Sequence, residues 1–236
     1  MALKDNLVAY YKLDESSGNA ADSVGSATLT NTNVNFSAGK INNAADFTND
    51  LLSGSCSVVN NDDPFSVSLW VKTTDNTNRT LVKFGTTYSD FEVAFGVGGT
   101  SSANFYGGSG SAVNSNSIND GNWHFIVATY DGTNTILYVD ASAGSPSSNY
   151  SSNRVATKVN LGNGYYAGFA GSIDEVGIWS RAISSDEVAE LYNDGDGVQY
   201  PFITTNIKTV NDLAIASVKT VNGLAISSVK SFNDLE

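Results

Sequence analysis

The most restrictive feature of this chain is a series of short apolar runs that alternate with period two and are cut apart by turn residues. Val8-Ala-Tyr-Tyr-Lys-Leu13, Phe65-Ser-Val-Ser-Leu-Trp-Val71, Thr80-Leu-Val-Lys-Phe84, Phe91-Glu-Val-Ala-Phe95, Trp123-His-Phe-Ile-Val-Ala-Thr-Tyr130, Thr135-Ile-Leu-Tyr-Val139 and Ser172-Ile-Asp-Glu-Val-Gly-Ile-Trp179 all read this way. Between them lie turn clusters such as Thr74-Asp-Asn-Thr-Asn78, Gly107-Gly-Ser-Gly110 and Asp131-Gly-Thr-Asn134. Successive side chains of a strand point to opposite faces, so this alternation fits strands that each bury one face. Many short strands at such spacing predict an all-β fold, a two-sheet antiparallel sandwich.

One segment departs from that period. Ser184-Ser-Asp-Glu-Val-Ala-Glu-Leu-Tyr192 sets Ser184 three residues ahead of Glu187, a capping box. Asp186 and Glu187 suit the positive end of a helix dipole. Val188, Leu191 and Tyr192 share one face, with Gly195 as the stop signal, so a short packing helix is expected.

The last part of the chain is a repeat. Ile207-Lys-Thr-Val-Asn-Asp-Leu-Ala-Ile-Ala-Ser217 is followed by Val218-Lys-Thr-Val-Asn-Gly-Leu-Ala-Ile-Ser-Ser228 and by a shortened copy from Val229 to Leu235. Asn-Asp and Asn-Gly favour two-residue hairpin turns, and a lone hairpin cannot bury its apolar face. The chain therefore divides at about residue 200 into a sandwich domain, 1–200, and a repeat tail, 201–236, with Pro201–Asn206 as linker. The tail is expected to pair with another copy of the chain or a larger assembly through Val210, Leu213, Ile215, Val218, Val221, Leu224 and Ile226. The alternative is a flexible, partly ordered extension.

Composition narrows the function. The 236 residues include 24 acidic and 12 basic ones, a net charge of 12 − 24 = −12, which argues against a nucleic-acid partner. Charged residues make up 15%, so the polar surface comes mostly from Ser, Thr, Asn and Gly. A single Cys56 and a single His124 exclude a disulfide framework or a Cys/His metal site within one chain. No apolar run is long enough to span a membrane, and the opening Met1-Ala-Leu-Lys-Asp-Asn6 lacks the apolar core of a signal peptide. Export then requires a signal removed from this chain, or release by lysis as in a virion.

Several ordered segments resemble a known family. Tyr10-Tyr-Lys-Leu-Asp-Glu-Ser-Ser-Gly-Asn19, Ala21-Asp-Ser-Val-Gly25 and Gly39-Lys-Ile-Asn-Asn-Ala-Ala-Asp-Phe47 come first. Phe65–Val71, Asn122-Trp-His-Phe-Ile-Val-Ala-Thr-Tyr-Asp-Gly132, Leu137-Tyr-Val-Asp140 and Phe169–Val188 follow in order. Over residues 5–198 they resemble laminin-G-like jelly-roll domains of the concanavalin A-like superfamily, mostly binding or assembly modules. Asp140-Ala141 departs from the family's Asp-Gly, which implies a differently built loop and a longer excursion after it. The opening and the Val-Asn-Gly-Leu-Ala-Ile repeats resemble structural proteins of tailed bacteriophages.

The resemblance sets the candidate sites. Retaining glycosidases of the superfamily carry paired carboxylates on one strand face about 5 Å apart. Here Asp174 and Glu175 are adjacent, and on a regular strand they point to opposite faces, so no catalysis is expected. His124, between Trp123 and Phe125, reads as a structural histidine. A structural Ca²⁺ is the implied cofactor, with Asp14 and Asp174 at the matching end-strand positions; the plain alternative is that both are hydrogen-bonded carboxylates, with Asp22 a turn former. Asn193-Asp-Gly-Asp-Gly197 looks like a calcium loop but has Thr204 where the twelfth-position Glu belongs, so it reads as a helix C-cap. Glycan recognition needs rings to stack on sugars, and Tyr88, Tyr106, Tyr165 and Tyr166 lie in or beside Ser/Asn/Gly-rich loops at a loop end of the sandwich, whereas Trp70, Trp123 and Trp179 read as core.

These readings converge on a non-enzymatic virion decoration or tail-fibre protein displaying a lectin-like sandwich to cell-surface polysaccharide, docked through its tail to other virion proteins or to itself. The alternatives are a secreted carbohydrate-binding or adhesin module at the cell surface, and an extracellular filament subunit joined by strand addition.

Overall fold

In the computed structural model the described residues are 2–60, 63–85, 92–95, 102–107, 110–148, 155–163 and 168–202, with four residue pairs in the tail, 209–210, 213–214, 220–221 and 224–225. The chain forms two compact units, Met1–Phe202 and Ile203–Glu236. In the first, the strands are β1 (Leu7–Tyr11), β2 (Thr30–Thr32), β3 (Asn35–Ala38), β4 (Asn43–Thr48), β5 (Leu51–Asn60), β6 (Phe65–Lys72), β7 (Arg79–Phe84) and β8 (Glu92–Phe95). They continue with β9 (Ser102–Gly107), β10 (Gly110–Ser117), β11 (Trp123–Tyr130), β12 (Thr135–Val139), β13 (Ser142–Ala143), β14 (Val155–Leu161) and β15 (Ala170–Trp179). Helix α1 (Ser185–Tyr192) follows.

These strands make two antiparallel sheets. One runs β13-β12-β11-β6-β15-β4-β3, with β1 also paired to β15; the other runs β10-β9-β8-β7-β14-β5-β2. Their inner faces enclose a core that includes Phe47, Phe65, Val67, Leu69, Val71, Val82, Phe84, Phe105, Leu161, Ile173 and Ile178. The alternation read from the sequence is the alternation that fills this core, and the all-β sandwich is the observed architecture.

The first sheet is buried on both faces, which the period-two pattern alone does not announce. Its outer face carries a second apolar cluster, in which Tyr10, Trp70, Phe125 and Trp179 pack with Leu3, Ile183, Val188 and Leu191. Helix α1 and the segments at both ends of the unit form its cover. Trp70 and Trp179 are buried here, outside the space between the sheets, and Trp123 is only half-buried at the rim, a correction to its reading as core. The helix has the expected capping box: Ser184 accepts from the Glu187 amide and the Glu187 carboxylate accepts from the Ser184 amide. Asn193, in the left-handed conformation with φ 49°, is its C-cap, two residues before the Gly195 expected to stop it.

The compact unit runs to Phe202, because the residues read as the start of a linker are packed. Phe202 meets Tyr10 edge-on at 5.3 Å between ring centroids and stacks on Trp179 at 6.4 Å, and Tyr200 lies 5.8 Å from Tyr10. The Asp140-Ala141 loop, expected to be built differently from the family's Asp-Gly tip, is a tight hairpin turn. Val139 pairs with Ser142, so Asp140 and Ala141 are the two central residues of a tight hairpin, with φ 51° and 60°. Positive φ at both positions is the geometry of a two-residue turn whose twist matches its strands.

The second unit repeats one motif. β16 (Thr209–Val210) pairs with β17 (Leu213–Ala214), and β18 (Thr220–Val221) with β19 (Leu224–Ala225), each an antiparallel pair. Val210 pairs with Leu213 and Val221 with Leu224, so each Asn-Asp or Asn-Gly step is a two-residue connection. Ile215, Val218 and Ile226 lie outside the described residues.

Candidate functional site

Two polar groupings stand out, one on each sheet. The first lies where β15 changes partner. Ala170–Ile173 pair with β4, whereas Val176–Trp179 pair with β1, and on the other edge the register against β6 shifts between Asp174 and Gly177. Glu175, with φ 51°, is the extra residue of this bulge. The bulge overturns the expectation that Asp174 and Glu175 point to opposite faces. Asp174 pairs with Trp70, whose ring is in the outer cluster, and Glu175 accepts a hydrogen bond from Tyr10 of the same cluster, so both carboxyls are on the outer face.

Each carboxyl is held by protein donors. Asp174 Oδ2 accepts from the amides of Lys40 and Ile41 at 2.8 and 3.0 Å, in the turn that joins β3 to β4. A Cβ at Gly39 would stand 2.7 Å from that oxygen and 2.5 Å from the Asn43 backbone, so only glycine permits this approach. Asp174 Oδ1 is buried with no hydrogen bond. Glu175 accepts from the Tyr10 hydroxyl and from Gln199 Nε2, both at 2.5 Å, and Gln199 also donates to Asp14 at 2.9 Å. Burial pushes Asp174 up to about 8 and Glu175 up to about 7, and their mutual repulsion adds to the rise at Asp174.

Asp14 completes the same grouping, with Asn43 N and Asn42 Nδ2 as its other donors at 3.2 and 3.3 Å. As a pair for calcium, Asp14 and Asp174 fit poorly. Ca²⁺ takes six to eight oxygens, and here both Asp14 oxygens and Asp174 Oδ2 are engaged by amide donors, leaving Asp174 Oδ1 as the pair's one carboxylate oxygen without a donor. Among the described residues no three His, Cys, Asp or Glu side chains form a metal-holding group. The arrangement is a hydrogen-bonded knot that ties β1, the β3–β4 turn, β15 and the segment around Gln199 together. Asp22 is the turn former of the alternative reading, accepting from the amides of Tyr10, Val24 and Ala27.

His124 is likewise engaged at both nitrogens: Nδ1 lies 2.7 Å from Asp140 Oδ2 and Nε2 3.0 Å from Asp120 Oδ1. Although desolvation works the other way, the two carboxylates raise its pKa above the ordinary value. This explains the hairpin's Asp140, which also accepts from the Phe125 amide.

The second grouping crosses the other sheet. Thr30 pairs with Ser53, Ser53 with Asn160, Asn160 with Lys83, Lys83 with Glu92, Glu92 with Tyr106 and Tyr106 with Ser111. One register row therefore spans all seven strands, and every position in it is polar or tyrosine. The neighbours of its described side chains, Leu52, Val82, Phe84, Val159 and Leu161, belong to the core, so Ser53, Lys83 and Asn160 lie on the outer face. Ser53 Oγ donates to Asn160 Oδ1 at 2.7 Å, and Asn160 Nδ2 donates to the Gly85 carbonyl. Asn104, two residues before Tyr106 on β9, is buried, and its cross-strand partner Val113 is exposed.

Of the tyrosines read as glycan contacts, Tyr106 takes its place in this row by register. Tyr88, Tyr165 and Tyr166 lie outside the described residues; the first falls between β7 and β8, the other two between β14 and β15. The sequence reading missed Lys83, Asn104 and Asn160. Its only signal was a lysine standing at an outward position inside the apolar run Thr80–Phe84.

The model of the concanavalin A-like lectin/glucanases superfamily matches residues 42–189, more than half of the chain. The chain belongs to that superfamily. Its lectin-like fold recurs in domain 4 of an extracellular arabinanase from Geobacillus stearothermophilus, solved with arabinotriose: TM-score 0.64, 22% identity, covering 78% of this chain and 97% of that one. The receptor-binding domain of a botulinum neurotoxin C/D mosaic serotype aligns with TM-score 0.64 at 13% identity over 81% of this chain, which spans 52% of that one. Trypanosoma rangeli sialidase aligns with TM-score 0.61 at 13% identity, covering 82% of this superfamily member and 34% of the enzyme. At these identities the likeness is one of fold. No curated protein sequence matches the chain.

Proposed function

We propose that the chain is a non-catalytic glycan-binding module whose saccharide lies on the outer face of the seven-stranded sheet. The observation that carries this reading is the unbroken polar row across that sheet. Saccharides are bound by amide and hydroxyl groups that exchange hydrogen bonds with sugar hydroxyls, beside rings or apolar side chains that meet sugar faces. Asn160, Ser53, Asn104 and Val113 supply such groups on rigid strands. The arabinotriose in the arabinanase domain, nearly all of whose length this chain spans, supports the same ligand class.

A hydrolase is disfavoured by placement. Asp174 and Glu175, the adjacent carboxyls, are buried in the first sheet's outer cluster, held in the knot and on the opposite side of the sandwich from the row. Affinity electrophoresis through gels containing arabinan, xylan, pectin or bacterial capsular polysaccharide tests the proposal. Retardation in at least one gel, lost in Asn160→Ala and Asn104→Ala, is expected; free migration in all of them refutes it.

For its setting we propose a virion decoration or tail-fibre component, docked through the tail to itself or to other particle proteins, with a secreted adhesin or filament subunit as the competing setting. The recurring hairpins of the second unit favour it, since a two-stranded hairpin gains stability mainly by adding to other strands. Light scattering on the full chain and on a chain ending at Phe202 tests this. An oligomer that becomes a monomer on shortening is expected, and two equal monomers count against self-docking.

A further inference from the structure

The row contains one group that glycan binding in general does not require. Lys83 is only 6% exposed and lies centrally in the sheet, flanked in sequence by the core residues Val82 and Phe84. A surface lysine ordinarily buries its stem and leaves its ammonium in water. Lys83 is far more enclosed, yet it forms no hydrogen bond or ion pair with any described residue. Its nitrogen is not among the buried side-chain atoms left without a partner, so the stem is covered while the ammonium keeps access to the outer face. Lys158 stands on the same outer face: it precedes the core residue Val159 on β14, and its carbonyl accepts from Gly85, two residues beyond Lys83. It is exposed and also without an ion pair among the described residues. Glu92 holds the register position opposite Lys83 on β8.

We infer that Lys83 receives the carboxylate of an acidic sugar, a uronic or sialic acid residue within an otherwise neutral oligosaccharide. This rests on the glycan-binding reading and specifies its ligand class. The ammonium supplies a charge-assisted hydrogen bond from a lysine whose stem is held by the sheet. Asn160 stands beside it on β14 and Asn104 lies two strands away on β9 to take sugar hydroxyls, and Lys158 adds a second positive charge at the margin. The net charge of −12 sets the upper limit on ligand charge. A densely sulfated or polyanionic chain would be repelled by the whole molecule, whereas an isolated carboxylate is governed by its immediate neighbours within a screening length of about 8 Å.

Calorimetric titration with matched acidic and neutral probes tests this: trigalacturonate against its methyl ester, 3′-sialyllactose against lactose, and arabinotriose as a further neutral sugar. The expected result is roughly tenfold or greater preference for the acid in at least one pair, from one charge-assisted hydrogen bond. Lys83→Gln abolishes that preference, and Lys83→Arg keeps it. Equal binding of acid and neutral partner overturns the assignment but leaves a glycan-binding module standing. A preference that survives in Lys83→Gln also overturns it. No binding of any of the five sugars overturns both this assignment and the reading it rests on. The wild-type comparison decides even if a variant fails to fold.

Discussion

Replacing Asp174 by Asn should flatten the dependence of stability on pH and make the protein more stable at alkaline pH. Asp174 and Glu175 are almost wholly buried, and their pKa values are raised to about 8 and about 7. An acid whose folded-state pKa is raised holds its proton more tightly in the native state than in the unfolded chain. Its stability contribution is therefore complete below the unfolded value near 4 and is lost as pH rises through 7 to 8. At about 1.4 kcal/mol per pH unit, the rise of Asp174 from 3.8 to about 8 corresponds to on the order of 5 kcal/mol. Asn keeps an acceptor for the Lys40 and Ile41 amides but cannot ionise. Urea denaturation from pH 4 to pH 9 should show the variant gaining on the wild type by several kcal/mol across that range, with most of the gain complete by pH 8. Using the difference between the two proteins cancels every carboxylate they share. A difference that stays flat between pH 4 and pH 9 would refute the reasoning, because Asp174 would then titrate alike in the folded and unfolded chains.

Tyr10→Phe removes a buried donor from Glu175 and should cost about 1–3 kcal/mol in urea denaturation, a loss that grows as pH rises and Glu175 ionises. Arg181→Ala should cost roughly 3 kcal/mol or more, because Arg181 grips Glu187 with two nitrogens at 2.6 and 2.7 Å in a buried pair and also donates to the Asp5 and Ala2 carbonyls. A chain ending at Tyr200 should melt below one ending at Phe202, since it lacks the ring packed on Tyr10 and Trp179; equal melting would mean that this packing contributes nothing. Melting in EDTA and in millimolar Ca²⁺ should coincide, because a ligand of the native state would raise stability and the Asp14–Asp174 region leaves a single carboxylate oxygen without a donor, far short of a cage.

What was legible in the sequence was local. The period-two runs identify the strands because each buries alternate residues, and Ser184 with Glu187 marks the helix start because a capping box needs only four residues of context. The bulge at Glu175 was illegible because its cause is tertiary: β15 changes neighbour from β4 to β1 at that point, and the gap is filled by turning two adjacent carboxyls to one side. A rule for regular strands therefore gave the wrong faces. The Asp140-Ala141 turn was misread for a related reason, since Ala141 accepts a left-handed φ that sequence preference assigns to glycine. The polar row was harder still. Its members at 30, 53, 83, 92, 106, 111 and 160 come together only through register across seven strands, and a search for exposed rings passes over an enclosed lysine.

The distribution of charge between the two sheets bears on mechanism. The adjacent carboxyls belong to the sheet whose outer face is sealed by α1 and the terminal segments, where Gly197 lies close enough to Trp70 that a Cβ there would stand 3.1 Å from the indole nitrogen. Lys83, without an ion pair among the described residues, belongs to the sheet that carries the polar row. Stacked sheets lie about 10 Å apart, and each grouping is on the far side of its own sheet, so a saccharide on the row cannot reach Asp174 or Glu175. Hydrolysis would need two carboxyls across one glycosidic bond, about 5–10 Å from each other and both open to the sugar. The same topology that seals these two carboxyls into a structural knot puts them out of reach of the saccharide proposed for the row.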